Sequence, residues 1–177
     1  MKNGFNQLIV GYGEVGRGLA EVLKQKGKVW ILDPNKSLKH NNNWPKKFYA
    51  IHICIPFSNS FSQAVRGIKK KYGYEILIIH STVPVGTSDK LGAVHSPIRG
   101  DHPNLAKGIK TFVKYVGGKN SQAAAKLFKS FADLLAAAFV LRPIPINKCL
   151  GHSCGHIRRG QSKNHKCRYA SRYRNPF

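Results

Sequence analysis

The stretch Gln7-Leu8-Ile9-Val10-Gly11-Tyr12-Gly13-Glu14-Val15-Gly16 decides the fold. A short apolar run suited to a fully buried strand leads into G-x-G-x-x-G. The glycines open a segment, Glu14 to Gln25, with apolar residues at Val15, Leu19, Val22 and Leu23. That spacing is a helical stripe, and Gly27 is placed to stop it. Val29-Trp30-Ile31-Leu32 reads as a second buried strand, ending at Asp33. The first glycine makes the tight turn, the second lets backbone approach a pyrophosphate, and the third permits close helix–sheet packing. The helix N-terminus adds unpaired N–H groups for the anion. Asp33 stands where a carboxylate accepts from an adenosine ribose 2′-OH and repels a 2′-phosphate, which favours NAD over NADP. Lys36 weakens that preference.

Working outward, the alternation continues. Pro34 to Lys47 reads as loop or a poorly formed helix, and Ile51 to Ile55 as a third strand halted by Pro56. Ser58 to Tyr72 carries Phe61, Val65 and Ile68 and ends in three lysines, which suits a helix C-terminus. Further strands are expected at Ile76–Ile79, Ala93–His95, Phe112–Val116 and Phe139–Leu141, with a last helix over Ser121–Ala138. The pattern predicts an α/β, Rossmann-like doubly wound parallel sheet over residues 1–146.

Composition bounds the partners. The chain has 177 residues, 42% of them apolar, enough for a real core. Thirty lysines and arginines against seven acids give a net charge of +23, which attracts nucleotides, nucleic acid or other anions. Residues 147–177 hold eight of those basic residues and no acid. They lack apolar periodicity, so they are expected to be a disordered basic tail. The longest apolar run, Leu134 to Leu141, is too short to span a bilayer, and the N-terminus has no signal-peptide h-region. No membrane association and a cytoplasmic location are the expectation. Cys54 lies in an apolar run and reads as a small buried hydrophobe. The tail's Cys149, His152, Cys154, His156, His165 and Cys167 lack two clean zinc knuckles, so no metal site is assigned. Its basic residues with Tyr169 and Tyr173 also suit an arm on nucleic acid. The third reading, a shifted reading frame beyond about Pro143, carries the most weight.

A second constellation follows the fourth strand: His80-Ser81-Thr82-Val83-Pro84-Val85-Gly86-Thr87. At the carboxyl end of a central strand its hydroxyls either face the cofactor crevice or, as Thr87 and Ser88, cap the next helix. With Gly11 to Gly16, Asp33, His52-Ile53-Cys54-Ile55-Pro56 and Ser96-Pro97, this element makes the sequence resemble the N-terminal NAD-binding domain of the UDP-glucose/GDP-mannose dehydrogenase family. The resemblance covers residues 5 to about 143. It implies NAD as cofactor and a nucleotide sugar as substrate, whose C6 hydroxymethyl is oxidised to a carboxylate. For Tyr12, Glu14 and Val15 it implies a place in the cofactor loop. For Ile55 and Pro56 it implies contact with the adenine side of NAD. For Ser81 and Thr82 it implies a position at the cofactor, Thr82 beside the nicotinamide in the catalytic hydrogen-bond network.

Departures accompany the likeness. The family places an acid after Ser-Pro; this chain has Ile98, followed by Arg99-Gly100. The family's cysteine nucleophile and its lysine and asparagine partners fall in later segments. The loop Ser96-Pro97-Ile98-Arg99-Gly100-Asp101-His102-Pro103-Asn104 is read either as a polar turn or as a substrate loop. In the second reading Ser96, His102 and Asn104 meet substrate and Arg99 pairs with an anion. The expectation is therefore a truncated, NAD-binding oxidoreductase-like chain that does not turn over nucleotide sugars alone. The alternative is a non-catalytic nucleotide-binding module whose tail engages nucleic acid.

Overall fold

The computed structural model describes residues 5–25, 27–33, 44–100, 105–130 and, as backbone, 139–140. The chain runs β1 (Gln7–Val10), α1 (Glu14–Leu23), β2 (Val29–Leu32), β3 (Lys47–Ile53), α2 (Phe61–Lys71) and β4 (Gly73–Ile79). It continues through α3 (Thr87–Leu91), β5 (Val94–His95), α4 (Leu105–Thr111), β6 (Lys114–Tyr115), α5 (Ser121–Lys129) and β7 (Phe139–Val140). Five strands form one parallel sheet in the order β2-β1-β3-β4-β5. β6 and β7 pair in parallel as a separate ribbon, joined to the main sheet by an antiparallel bridge from His95 to Gly117.

Alternate strand residues serve two cores. Ile9, Ala50, Ile78 and Val94 face Leu19 and Leu23 of α1, Ile109 of α4, and Leu127 and Phe128 of α5. Leu8, Val10, Ile51, Ile53, Leu77 and Ile79 face Phe61 and Val65 of α2 and Leu91 of α3. Both faces are covered, so the central strands need apolar residues at nearly every position, as the sequence has. The chain leaves β1 toward β2 on one side and returns as β3 on the other. Between the carboxyl ends of β1 and β3 lies the topological switch point, where such sheets bind ligands.

Several boundaries differ from the sequence reading. β3 starts at Lys47 and β4 at Gly73: Phe48 and Ala50 are fully buried, Lys47 pairs with Gly73 and Phe48 with Tyr74, and Lys47 Nζ lies 3.1 Å from Glu75 Oε1. β3 ends at Ile53 rather than Ile55. α1 ends at Leu23, and Gly27 instead passes close to the Phe5 carbonyl. α2 begins at Phe61, not Ser58. Gly86, in a left-handed conformation, occupies the cap of α3, so Thr87 and Ser88 do not cap it. The strand expected over Phe112–Val116 shrinks to Lys114–Tyr115.

α4 is absent from the sequence reading, since Gly108 weakens its helical pattern. That glycine is what lets α4 seat: a Cβ there would collide with Gly100, and one at Gly18 would come within 3.1 Å of the Ala106 nitrogen. Lys36, Leu141, the second half of the expected last helix and residues 147–177 lie outside the described residues. No helix among those described is long and apolar enough to cross a membrane.

Candidate functional site

The three glycines of the loop after β1 do different things. Gly11 has φ of +93°, and a Cβ on it would lie 2.9 Å from the Cys54 carbonyl and from Ile55 Cγ2. A Cβ on Gly16 would run into the Gly11 carbonyl oxygen. Both are therefore required by the chain's own packing. Gly13 has an ordinary φ of −71°, is exposed, and has nothing within 4 Å of where a Cβ would stand. Internal packing does not require this glycine, which borders open space at the N-terminus of α1. Asp33 closes the loop from β2: its Oδ2 accepts a 2.7 Å hydrogen bond from the Tyr12 N–H. The carboxylate thus shapes the glycine loop itself, a role the sequence reading did not assign it.

Next to this loop stand the ends of β3 and β4. Ser81 Oγ donates to the Ile55 carbonyl at 2.5 Å and ties the two ends together. Ile55 is half-buried against Gly11, while Pro56 and Thr82 are exposed. Glu14 and Val15 are half-buried in the first turn of α1. The structure therefore gathers Gly11, Tyr12, Gly13, Gly16, Asp33, Ile55 and Ser81 around the switch point.

Beneath this edge a polar chain crosses the sheet interior. His80 Nδ1 donates to the Ser96 carbonyl at 2.6 Å, so its Nε2 accepts, at 2.9 Å, from His52 Nδ1. His52 Nε2 must then accept too, yet it lies 2.9 Å from Gln7 Oε1. A doubly protonated His52 would resolve this, but burial and the Lys114 charge push its pKa down to about 3. Turning the Gln7 amide so that its NH2 faces His52 resolves it without a charge. The amide's other atom is buried without a hydrogen-bond partner, and an orphaned carbonyl there is the milder choice.

Lys114 ends this chain at the carboxyl edge. Its Nζ donates to the Ser96 carbonyl at 3.1 Å and the Pro97 carbonyl at 3.2 Å, and stands 5.3 Å from the centre of the Phe128 ring. Burial lowers its pKa to about 7. Cys54 is buried and its thiol is pushed up to about 12, which keeps it protonated and inert. Burial also lowers His95, whose Nε2 donates to the Ser81 carbonyl at 3.2 Å.

The turn after β5 is held from both sides of β6. Lys114 grips it from within. On the outer side the exposed Arg99 guanidinium lies 5.5 Å from the Tyr115 ring centre and 5.9 Å from that of Phe112. Ser96, expected in a substrate loop, is fully buried and spends its hydroxyl on the Tyr115 carbonyl at 2.7 Å. It serves the turn's shape. His102 and Asn104 lie outside the described residues, as do the tail's cysteines. Among the described residues no three His, Cys, Asp or Glu side chains form a metal cluster. Sequence reasoning passed over Gln7, His52 and Lys114. The available signal was a polar residue inside a run predicted to be a buried strand.

No family model and no curated protein matches the sequence. Solved structures do match the fold. A UDP-D-ManNAc dehydrogenase from Pyrococcus horikoshii aligns over 76% of this chain and 46% of its own, with a TM-score of 0.57 and 17% identity. The UDP-N-acetyl-mannosamine dehydrogenase of Staphylococcus aureus aligns over the same shares, with a TM-score of 0.59 and 14% identity. A prephenate dehydrogenase from A. aeolicus, solved with hydroxyphenyl propionate and NAD+, covers 81% of this chain and 62% of its own, at a TM-score of 0.55 and 12% identity. The chain is thus similar to somewhat under half of each of the two UDP-sugar dehydrogenases, and its fold is Rossmann-like.

Proposed function

We propose that the chain is an NAD-binding unit of a nucleotide-sugar dehydrogenase-like oxidoreductase. The observation that carries this reading is Gly13, a glycine with no packing reason of its own, open to space between two glycines that the loop cannot do without. A pyrophosphate laid there would meet the backbone N–H groups that open α1. Tyr12, Glu14 and Val15 would frame it, and Ile55 and Pro56 would bound the adenine side. Asp33, already fixed by the Tyr12 N–H, would accept from the ribose hydroxyl, since a carboxylate takes several hydrogen bonds. Ser81 and Thr82 would border the nicotinamide end. When bound, the cofactor supplies a hydride acceptor. The neighbouring UDP-sugar dehydrogenases favour a nucleotide sugar as the substrate.

Among the described residues, two features argue against full turnover. The family that the sequence resembles uses a thiol to trap the aldehyde and an acid to assist hydrolysis. Cys54 is buried and protonated, and Ile98 stands where the resemblance expects an acid. Thr82 is exposed at the edge, but a hydroxyl is too weakly acidic to serve as a base at neutral pH.

Calorimetric titration with NADH tests the binding. Wild type is expected to bind, and Gly13→Val to lose binding while keeping its unfolding midpoint. Unchanged affinity in Gly13→Val would sink the assignment. Incubation with NAD+ and UDP-glucose or GDP-mannose is expected to give no NADH absorbance. Turnover near one per second, ordinary for an enzyme, would overturn the second part.

A further inference from the structure

We propose that Lys114 is the positioning residue of the Ser96–Arg99 turn: its buried amine holds the turn in the shape that presents Arg99 to an anionic group. The inference rests on the reading of the loop after β5 as one that meets substrate, with Arg99 as its partner for an anion. It names an anionic group of the substrate as what the turn meets.

The geometry begins with β6. Lys114 and Tyr115 are consecutive strand residues, so their side chains leave opposite faces. The inward amine takes the carbonyls of Ser96 and Pro97, the first two residues of the turn. The outward ring lies against the guanidinium of Arg99, the last. Ser96 Oγ returns a third bond to the Tyr115 carbonyl. Two residues of one strand thus fix both ends of a four-residue turn and leave its arginine exposed. Such pre-ordering removes much of the side-chain entropy that anion binding otherwise costs.

Charge decides what an anion at Arg99 meets from beneath. A neutral amine has two N–H groups, one for each carbonyl, and meets both. An ammonium makes the same two bonds, but the cost of burying its charge exceeds what they return, unless an anion nearby offsets it. Around Lys114 the titratable groups are His52 from β3, Cys54 just beyond it, His80 after β4 and His95 from β5, while α5 presents only the Phe128 ring. Burial lowers the pKa of all three histidines and raises that of Cys54. Lys114, lowered to about 7, is the member of this cluster poised to change charge near neutral pH. An anion at Arg99 favours the charged amine beneath it.

The test follows the Arg99 side-chain Nε–H by 15N NMR, with sulfate as probe because its charge is constant from pH 6 to 9. In wild type the Arg99 signal is expected to titrate with a midpoint near 7, and sulfate to bind severalfold more weakly at pH 9 than at pH 6. Lys114→Met is expected to lose both dependences, and Lys114→Gln, which keeps an N–H for a carbonyl, to do the same with the turn intact. His95→Gln is expected to keep them. Sulfate binding at Arg99 with the same pH dependence in both Lys114 variants would overturn the inference alone. No response of Arg99 to sulfate at any pH would overturn it together with the substrate-side reading of the turn.

Discussion

At the end of β1 the crevice is built from backbone; at the end of β5 it is built from buried side chains. The glycine loop is local in sequence, and much of its geometry is too: Gly11 turns at a positive φ, and Gly16 packs on the Gly11 carbonyl. The other end joins residues separated by 45, 28, 16 and 18 positions: Gln7 with His52, His52 with His80, His80 with Ser96, and Ser96 with Lys114. A backbone-made site announces itself in a motif. A network of side chains exists only after the sheet has brought its strands into register.

The sharpest way to break this contrast is to put a side chain on each kind of glycine. Gly16→Val drives a Cβ into the Gly11 carbonyl and is expected to cost more than about 3 kcal/mol. Gly13→Ala meets nothing and keeps a favourable φ, so it is expected to stay within about 1 kcal/mol of wild type. Urea unfolding of both variants measures the difference. Equal losses would mean that the two glycines share one structural role.

Acid should attack the other end. His52 takes a proton near pH 3 when folded and near 6.5 when not, and His80 is lowered in the same direction. The unfolded chain binds these protons first, so the histidines' contribution is present above pH 6.5 and lost as pH falls from there toward 3. A loss of about 3 kcal/mol between pH 6.5 and 4 is expected from denaturant midpoints. Replacing the chain by apolar residues, as Gln7→Leu/His52→Phe/His80→Phe, should flatten that slope. A slope unchanged in this variant would show that acid acts elsewhere.

How much was legible follows the same division. Gly11, Gly13, Gly16 and Asp33 were assigned from their spacing, and the parallel sheet from the alternation of apolar runs, because those signals are local. Ser96 carries two readings in the sequence, part of a polar turn or a substrate contact, and its polarity cannot choose; burial does, by spending its hydroxyl on Tyr115. α4 was missed because its glycine, unfavourable for a helix, is needed for close contact with Gly100, which no helical pattern records. The beginnings of β3 and β4 were missed because they mix exposed residues such as Lys47 and Glu75 with buried ones such as Phe48, and only pairing with the neighbouring strand shows which are which.

Lys114 offers a smaller effect with a distinctive pH dependence. Its folded pKa is near 7 against an ordinary 10.5, so the unfolded chain holds the extra proton between those values. Wild-type stability should therefore rise with pH from about 7 to 10.5, and Lys114→Met should lack that rise. At pH 6 the variant, relieved of a buried charge, is expected to be about 1–3 kcal/mol more stable than wild type, and the gap should close toward pH 10. Parallel pH profiles for the two proteins would show that the amine is not desolvated.

The smallest effect belongs to Asp33, whose charge and whose hydrogen bond can be separated. Asp33→Asn keeps an oxygen that can accept from the Tyr12 N–H, so the loop should retain its shape and stability should fall by about 1 kcal/mol or less. What changes is the charge at the end of β2. In the proposed site that carboxylate faces the adenosine ribose, where a 2′-phosphate would bring like charge. At a half-buried position, partly screened by solvent and salt, the repulsion is worth about 1 kcal/mol, a factor of about five in affinity. NADPH binding is thus expected to tighten severalfold in Asp33→Asn while NADH binding weakens slightly, as calorimetry at low and high salt would show. High salt should shrink the difference for wild type, because only wild type carries the repelling charge. An unchanged NADH to NADPH ratio in the variant would leave Asp33 as a structural tie of the glycine loop and remove it from cofactor selection.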